Sequence, residues 1–282
     1  MKFIKYLKFD IHQGIFHNRT LIVSPILISV VIFVDFIFRA NQYLVYDIID
    51  QSVSYGDYLF YLYGGMTEYI PDYGEVFSFP VVWVAIFLVL PFILLNYPFK
   101  DIAGNGQHIL TRSTKRSFWW LAKCVWNIGG TLFYHFMIQL TGLVLCFIFR
   151  IEITNIVHVD FIKAAFRIRP EEIRDISVLL ASAVFLPVCV SVSVNMLQMM
   201  LSLFIRPIYS FFSVLLVLII SAYLLLPAGI GNYAMLLRQD WVLLYKGVSV
   251  GTGYSISLML LLLSIVVGSI RFHYYDILEN TY

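Results

Sequence analysis

Long apolar runs are the feature that most constrains how this chain can fold. A helix needs about 20 apolar residues to cross the hydrocarbon core of a bilayer, and six runs in the sequence are close to that length. They lie at 21–38, 79–97, 128–149, 177–204, 209–228 and 254–270. Charged residues make up only 13% of the chain, whereas soluble domains usually contain about 25%. We therefore expect an all-α polytopic membrane protein with six transmembrane helices in one domain, 1–282.

The distribution of basic residues predicts the orientation in the membrane. With a cytoplasmic N-terminus, the inner segments 1–20, 98–127, 205–208 and 271–282 hold eleven of the 19 lysines and arginines. The outer loop 39–78 holds one basic residue and six acids. Because cytoplasmic loops carry an excess of Lys and Arg, we expect both termini on the cytoplasmic side.

The first 20 residues are predicted to form an amphipathic interfacial helix. Apolar residues recur there at helical spacing, with three lysines off their stripe: Phe3, Ile4, Leu7, Ile11 and Ile15, against Lys2, Lys5 and Lys8. Such a helix lies in the plane of the inner membrane interface, with its lysines towards anionic headgroups. The alternative is that this segment is only the start of the first transmembrane helix.

Two outer segments also carry information. The loop 39–78 is rich in tyrosines, which either form a small outer cap or pack against the transmembrane helices. The segment 229–253 is moderately apolar and bounded by glycines, but it is too short to cross the membrane twice. We expect it to be either a re-entrant pair of short helices before the last span or a lid on the outer face.

Polar residues inside the apolar runs are the candidates for a translocation path, because burying them in lipid is costly. They are Asp35, His135, Gln139, Ser191, Asn195 and Gln198. Arg39 follows Asp35 by one helical turn, a spacing that predicts an ion pair on one helix face. The stripe of Ser191, Asn195 and Gln198 is typical both of a hydrogen-bonded helix interface and of a polar cavity wall.

The sequence contains no recognisable catalytic or metal-binding motif. The segment 251–257 lacks the lysine of a phosphate-binding loop, and neither H-E-x-x-H nor G-x-S-x-G occurs. The Glu171–Glu172 pair follows Pro170, as acids often do at a helix N-terminus. The three cysteines have no metal-like spacing. We therefore expect no enzyme activity, no metal and no cofactor bound by this chain, and the net charge of +2 argues against nucleic-acid binding.

The longest polar and basic stretch is DIAGNGQHILTRSTKRSFWWLAK, residues 101–123, which lies between two apolar runs. A glycine-containing turn is expected first, followed by a short helix over 107–120. Trp119 and Trp120 suit the headgroup region as a membrane anchor, with Lys123 close by. From the residues alone, this is a positive-inside loop with an aromatic anchor.

Together with the N-terminal helix and the six spans, this stretch resembles the permease subunit of ABC-2 type (type V exporter-like) ABC transporters. In that family the loop runs acidic residue, glycine, a leucine followed by Thr/Ser/Arg, a basic residue, an aromatic and a lysine. The matching residues here are Asp101, Gly104 or Gly106, Leu110, Thr111, Arg112, Ser113, Arg116, Trp119 or Trp120, and Lys123. Many members carry a Glu-Arg-Glu-like cluster where this chain has only Asp101.

The resemblance implies that this stretch contains a cytoplasmic coupling helix that docks on a separate ABC ATPase subunit. The ATPase-coupling residues would be Asp101, Gly104, Gly106, Gln107, Leu110, Thr111, Arg112, Ser113, Lys115 and Arg116. The N-terminal helix would be the elbow helix, and a second permease chain, identical or paralogous, would complete the path. ATP and Mg would bind only to the ATPase, and a peptide, antibiotic or lipid-like cargo would be exported across a bacterial plasma membrane. Two other classes stay open: a non-transporting scaffold or sensor subunit, and an intramembrane enzyme.

Overall fold

The computed structural model describes residues 2–69, 77, 79–102, 116–168, 181–243 and 247–275. These residues form ten α-helices, numbered here in chain order, and no β-strand. The helices are α1 Lys2–Ile11, α2 Arg19–Val45, α3 Tyr55–Tyr63, α4 Val81–Leu94, α5 Tyr97–Asp101, α6 Arg116–Ile148, α7 Val159–Phe166, α8 Leu186–Leu201, α9 Pro207–Tyr223 and α10 Val250–His273. The predicted all-α class is confirmed for this part of the chain.

Five helical segments in the described residues are long and apolar enough to cross a membrane. They are Arg19–Val45, Val81–Asp101, Arg116–Ile148, Ala183–Leu201 and Val250–His273. At the expected fifth span, α9 has only 17 residues. It is about 26 Å long, against about 30 Å for the hydrocarbon core. The structure thus supports a membrane protein with five helices of spanning length and one shorter apolar helix, where the sequence predicts six spans.

The end of α9 coincides with a buried arginine from a later segment. The predicted span runs to residue 228, whereas the helix ends at Tyr223. Arg238, which is fully buried, donates from Nη2 to the carbonyl oxygen of Ala222 at 2.6 Å and from Nη1 to that of Leu224 at 3.4 Å. These last-turn carbonyl groups have no partner within the helix, so Arg238 satisfies them where α9 stops.

The third predicted span begins much earlier than hydropathy indicates. Helix α6 begins at Arg116 rather than at 128, and it continues for 33 residues to Ile148, a length of about 50 Å. Its first turns carry Trp119 and Lys123, whose side chains are buried against other helices. Tertiary contacts therefore cover polar groups that made this part of the chain look like a loop.

The bundle is arranged around α8. In the most apolar part of the segment Ala183–Leu201, which contains α8, 72% of the residues are buried, against 22% in the corresponding part of α10. Helix α8 packs against α4, α6, α9 and α10, while α6 also packs against α1 and α2. Large apolar side chains on the outer faces remain exposed, among them Val31, Phe136, Phe212 and Met259. Exposed apolar side chains around the bundle are typical of helices that face lipid.

Helix α1 is separate from the first long helix. A short π-helical turn, His12–Phe16, follows α1, and the chain then leaves helical geometry at Asn18. The Asn18 side chain accepts a hydrogen bond from the backbone N–H of Leu21 at 3.3 Å, so Asn18 is the N-cap of α2. The interpretation of the N-terminal segment as only the start of the first span is therefore wrong.

The loops at the far end of α6 form a compact layer, named here the cap: α3, α7 and residues 150–157 and 230–238. All nine residues of α3 are buried, so its tyrosines pack against the long helices. The backbone N–H groups of Tyr55 and Gly56 donate at 2.9 Å to the carbonyl oxygens of Glu152 and Thr154. Chain segments far apart in sequence thus share backbone hydrogen bonds in the cap.

The segment before the last long helix is part of the cap. It forms two short 3₁₀ turns, Ile230–Ala234 and Leu236–Arg238, in place of a pair of α-helices. The first turn packs against α8, α9 and α10. All eight residues of the two turns are buried, so this segment packs closely against the neighbouring helices.

Candidate functional site

The main ionic feature inside the bundle is centred on Lys123 of α6. Lys123 is fully buried, and Asp10 of α1 is 2% exposed. The Nζ atom of Lys123 forms an ion pair with Asp10 Oδ1 and a second one, at 2.7 Å, with Asp101 Oδ2. These three residues, Lys123, Asp10 and Asp101, are named the charge cluster.

Two aromatic side chains complete the charge cluster. Tyr97 donates from its hydroxyl to Asp10 Oδ1 at 3.0 Å, and Trp119 donates from Nε1 to Asp101 Oδ2 at 3.0 Å. The ring centroids of Tyr97 and Trp119 lie 4.8 Å and 4.9 Å from Lys123 Nζ, which are cation–π distances. Each carboxylate thus has both an ammonium and a neutral donor, as buried charges require.

The electrostatics of the charge cluster indicate that it holds neighbouring helices in position. Burial raises the pKa of the Asp10 carboxyl above its usual range, and the Lys123 ammonium acts in the opposite direction. Two carboxylates share one ammonium, so one negative charge remains when both carboxylates are ionised. Removing one partner of a buried ion pair costs about 3–5 kcal/mol, because the remaining charge is uncompensated. The cluster therefore holds α1, α5 and α6 in one arrangement.

The charge cluster also connects to the segment 103–115, which lies outside the described residues. Asp101 ends α5 just before that segment, and Arg116 begins α6 just after it. Arg116 Nη1 donates to the carbonyl oxygen of Tyr275 at 2.8 Å. One end of the segment is thus attached to α1 through Lys123, and the other end contacts the chain just beyond α10.

Only two of the ten predicted ATPase-coupling residues can be placed. Asp101 belongs to the charge cluster, and Arg116 bonds the C-terminal part of the chain. The other eight lie outside the described residues: Gly104, Gly106, Gln107, Leu110, Thr111, Arg112, Ser113 and Lys115. Their coupling role stays a prediction.

The three residues predicted to anchor the loop in the headgroups lie in the protein interior. Trp119 is 2% exposed, and Trp120 and Lys123 are fully buried. Trp120 donates from Nε1 to the carbonyl oxygen of Ile265 at 3.0 Å, and Trp119 stacks on Phe272 with ring centroids 4.6 Å apart. A headgroup anchor needs an accessible ring or ammonium. The anchor assignment is therefore corrected: the two tryptophans attach α6 to α10, and Lys123 attaches it to α1 and α5.

Asp35 belongs to a separate polar group between α2 and the cap. Arg39 Nε lies 3.2 Å from Asp35 Oδ2, so the predicted ion pair on one helix face is confirmed. The Tyr61 hydroxyl of α3 also donates to Asp35 Oδ2. Both charged side chains are 42% exposed, and pairs in such positions contribute at most about 1 kcal/mol.

His135 and Gln139 share a face of α6, as predicted, and that face contacts α3. The Tyr63 hydroxyl lies 3.0 Å from His135 Nδ1 and accepts a hydrogen bond from Gln139 Nε2 at 3.1 Å. Tyr55 donates from its hydroxyl to Gln139 Oε1 at 2.9 Å. This network attaches the far half of α6 to the cap.

Ser191, Asn195 and Gln198 lie on one buried face of α8, and that face is a helix interface. Asn195 Nδ2 donates to Thr131 Oγ1 of α6 at 3.3 Å, and Gln198 Nε2 donates to the Pro91 carbonyl oxygen of α4 at 3.0 Å. Hydrogen bonding between helices, one of the two interpretations of this stripe, is therefore observed. A small cavity also borders it.

The six residues predicted to line a translocation path thus form three groups. Asp35 faces α3, the pair on α6 faces the cap, and the α8 stripe faces α4 and α6. Sequence reasoning did not single out Asp10, Tyr97 or Asn127. Asp10 is the only acid in the first 20 residues, which is the one signal that could have identified it.

Comparison with known proteins adds no family: no protein-family model, curated protein or solved structure matches this chain. Within the described ranges, no group of three His, Cys, Asp or Glu residues could hold a metal ion. The described residues define the class, because they are all-α and include five apolar helices long enough to cross a membrane.

Proposed function

We propose that this chain is a transmembrane permease subunit of an ATP-driven exporter of the ABC-2 type. It crosses the plasma membrane of a bacterium six times, with α9 as the shortest span and both termini in the cytoplasm. The observation that carries the proposal is the charge cluster, which joins α1 and α6 to Asp101, the residue that ends α5 just before the segment 103–115. A helix that receives force from a soluble ATPase needs rigid attachment of this kind.

The mechanism follows from the path of α6. Closure of the ATPase dimer displaces the segment 103–115, and the pairing of Asp101 with Lys123 moves the start of α6 with it. Helix α6 then runs without interruption to the cap, where His135 and Gln139 contact α3. The movement is transmitted over about 35 Å, the distance along α6 from Arg116 to Gln139, as a rigid-body displacement.

The remaining components are supplied by partners. A second permease chain, identical or paralogous, encloses the path, and the exposed apolar faces of α2 and α10 leave room for it within the membrane. ATP and Mg bind to the ATPase, and this chain binds no cofactor. The cargo class is a peptide, an antibiotic or a lipid-like molecule.

A single substitution, Arg112→Glu, tests the proposed interaction with the ATPase. Arg112→Glu reverses a charge in the expected coupling helix, and charge complementarity mainly sets register and specificity at such an interface. We expect the ATPase subunit to co-purify with the wild-type chain and not with Arg112→Glu, at equal membrane levels. Arg150→Glu, at the opposite end of α6, is the matched control and retains the ATPase. Retained association in Arg112→Glu contradicts the assignment.

A non-transporting scaffold or sensor subunit is the second candidate. The observation in its favour is that the polar stripe of α8 is used within the chain, since Asn195 bonds Thr131 and Gln198 bonds the Pro91 carbonyl group. The two candidates differ in one measurement, ATP hydrolysis by the reconstituted complex. A transporter shows hydrolysis stimulated by its cargo, whereas a scaffold shows the same rate with every compound tested.

An intramembrane enzyme receives no support from the described residues. Such an enzyme needs ionisable side chains that converge on one point. Asp35 is paired with Arg39 near the cap, whereas His135 contacts Tyr63 inside the bundle. The proposal therefore assigns no catalytic residue to this chain.

A further inference from the structure

A groove lies where the ends of α2 and α6 meet the cap. Its volume is about 550 Å³, which is within the usual range for sites that bind small molecules. It extends along α2 from Ile37 to Leu44, which is two helical turns, and it continues to Ser52 and to residues 149–152, just after α6. The groove therefore joins the ends of two helices of spanning length to the cap.

Much of the groove wall is apolar. Ala40 and Val53 in this wall are buried, whereas Leu44 and Phe149 are exposed. Phe147, on the last turn of α6, is also exposed. Apolar side chains that stay exposed on spanning helices are typical of surfaces that face lipid. The apolar part of the groove is therefore suited to an acyl chain that enters from the bilayer.

Two opposite charges complete the groove wall. Arg150 and Glu152 both line the groove, and both are exposed. Within the described part of the chain, neither side chain forms a hydrogen bond or an ion pair, either with the other or with a third residue. One guanidinium group and one carboxylate group thus remain available to a ligand beside an apolar surface.

The backbone of Arg150 is a second observation at this position. Its φ is 58°, in the left-handed region where glycine is the usual residue after a helix and a side chain adds strain. Strained backbone is concentrated at functional sites. A basic side chain also complements a helix C-terminus, and Arg167 ends α7 with a φ of 55°. A comparison of the two arginines therefore separates ligand binding from helix capping.

The chemistry of the groove wall defines its occupant. The apolar wall suits an acyl chain, and the planar guanidinium group of Arg150 suits a phosphate, which it can bind through two parallel hydrogen bonds. The Glu152 carboxylate only accepts hydrogen bonds, so it suits a primary ammonium group. A quaternary amine has no proton to donate, and an anionic headgroup without an amine leaves Glu152 without a cation. The occupant that fits all three parts is a zwitterionic phospholipid with a primary amine.

We propose that this groove, named the lipid groove, binds one phospholipid of this kind, with its phosphate on Arg150 and its ammonium group on Glu152. One acyl chain lies along α2 between Ile37 and Leu44. The bound lipid fills the space between α2 and the chain that follows α6. The proposal requires only that these helices cross a membrane, so it is independent of any ATPase.

The test is native mass spectrometry of the full-length chain, purified in detergent and titrated with single phospholipids. The probes are phosphatidylethanolamine, phosphatidylcholine and phosphatidylglycerol with identical acyl chains. We expect the first phosphatidylethanolamine to bind with an apparent Kd about fivefold lower than that of the other two, the upper value for one solvent-exposed ion pair.

Three variants locate the effect. Arg150→Gly removes the guanidinium group, so the apparent Kd of all three lipids rises about fivefold. Because glycine adopts this φ without strain, the thermal unfolding midpoint stays at or above the wild-type value. Arg167→Gly is the matched control, since Arg167 is not among the described residues that line the groove, and it keeps the wild-type lipid affinities. Glu152→Gln removes the preference for phosphatidylethanolamine over phosphatidylglycerol.

Three results overturn the proposal. Equal affinities of the wild-type chain for the three lipids mean that only non-selective boundary lipid binds. Equal affinities in Arg150→Gly and Arg167→Gly mean that the guanidinium group in the groove does not hold the headgroup. If Arg150→Gly fails to fold, Glu152→Gln decides, and an unchanged lipid preference in that variant overturns the proposal. None of these results bears on co-purification with an ATPase, so failure here is distinguishable from failure of the proposed function.

Discussion

At the scale of single residues, this chain holds buried positive charges in two different ways. Lys123 is neutralised by carboxylates, whereas Arg238 lies among neutral carbonyl groups, donating from Nε to that of Met66 at 3.0 Å and from Nη2 to that of Thr67 at 3.1 Å. Burial lowers the pKa of Arg238 to about 10. A guanidinium group suits this position because its planar fork serves several acceptors at once, while the compact ammonium suits a paired carboxylate site.

Lys123→Met is expected to be strongly destabilising. It leaves Asp10 and Asp101 buried without their cation, so the free energy of unfolding should fall by about 3–5 kcal/mol. Denaturant unfolding of the chain in detergent measures this loss. Lys163→Met is the control, because the Lys163–Asp160 pair is 3.7 Å long with side chains 26% and 76% exposed, and we expect a change within about 0.5 kcal/mol. Similar losses in both variants would show that the charge cluster has no special role.

At the scale of helices, the contact between α6 and α10 depends on a glycine. A Cβ atom at Gly268 would lie 2.1 Å from Cζ2 of the buried Trp120 ring. By contrast, a Cβ atom at Gly129 of α6 would lie 3.5 Å from Ile15 Cδ1, an ordinary contact. Of these two glycines, only Gly268 is required by packing, because a side chain at Gly129 would meet no steric conflict.

Alanine at these two positions is expected to have opposite effects. Gly268→Ala should lower the free energy of unfolding by about 1–3 kcal/mol, because the Trp120 ring or α10 must shift. Gly129→Ala should raise it by about 0.5–1 kcal/mol, since alanine is the better helix former. The free energy of unfolding of both variants and of the wild type, measured under the same detergent conditions, tests these two expectations. A stabilising Gly268→Ala would mean that α6 and α10 are further apart than described.

The helices could be predicted from sequence, but some of their ends could not. Hydropathy located α10 to within four residues at each end and the start of α2 to within two, because lipid-facing helices are apolar along their length, whereas α2 continues seven residues beyond the predicted end at 38. The pairing of Asp35 with Arg39 was also predictable, since it depends only on spacing within one helix. The charge cluster was not, because Asp10 and Lys123 are 113 residues apart and meet only through packing.

At the scale of the whole molecule, α6 connects two distinct ends. The charge cluster lies near its first turns, and the cap lies at its other end, where Ser52 and Glu152 border a groove of about 550 Å³. Ser117, at the start of α6, and Ser52 are both exposed. Ser117 thus marks the first turn of α6, and Ser52 marks the cap at the other end of this helix of about 50 Å.

Cysteine labelling at these two serines tests the orientation inferred from the basic residues. In a variant without the three native cysteines, Ser52→Cys should react with a membrane-impermeant maleimide in intact cells, whereas Ser117→Cys should not. Both should react after permeabilisation, which controls for accessibility. The reverse pattern would place the N-terminus outside, and labelling of both in intact cells would contradict a spanning α6.

The burial of Asp10 against Lys123 has a consequence for biosynthesis. The two residues are separated by 113 residues of chain, so at about 5–20 residues per second Lys123 is synthesised roughly 6–23 s after Asp10. During that interval the two apolar helices that precede α6, α2 and α4, are synthesised while Asp10 has no ammonium to pair with. Helix α1 is therefore made before α2, α4 and α6, but its docking through Asp10 must wait for α6.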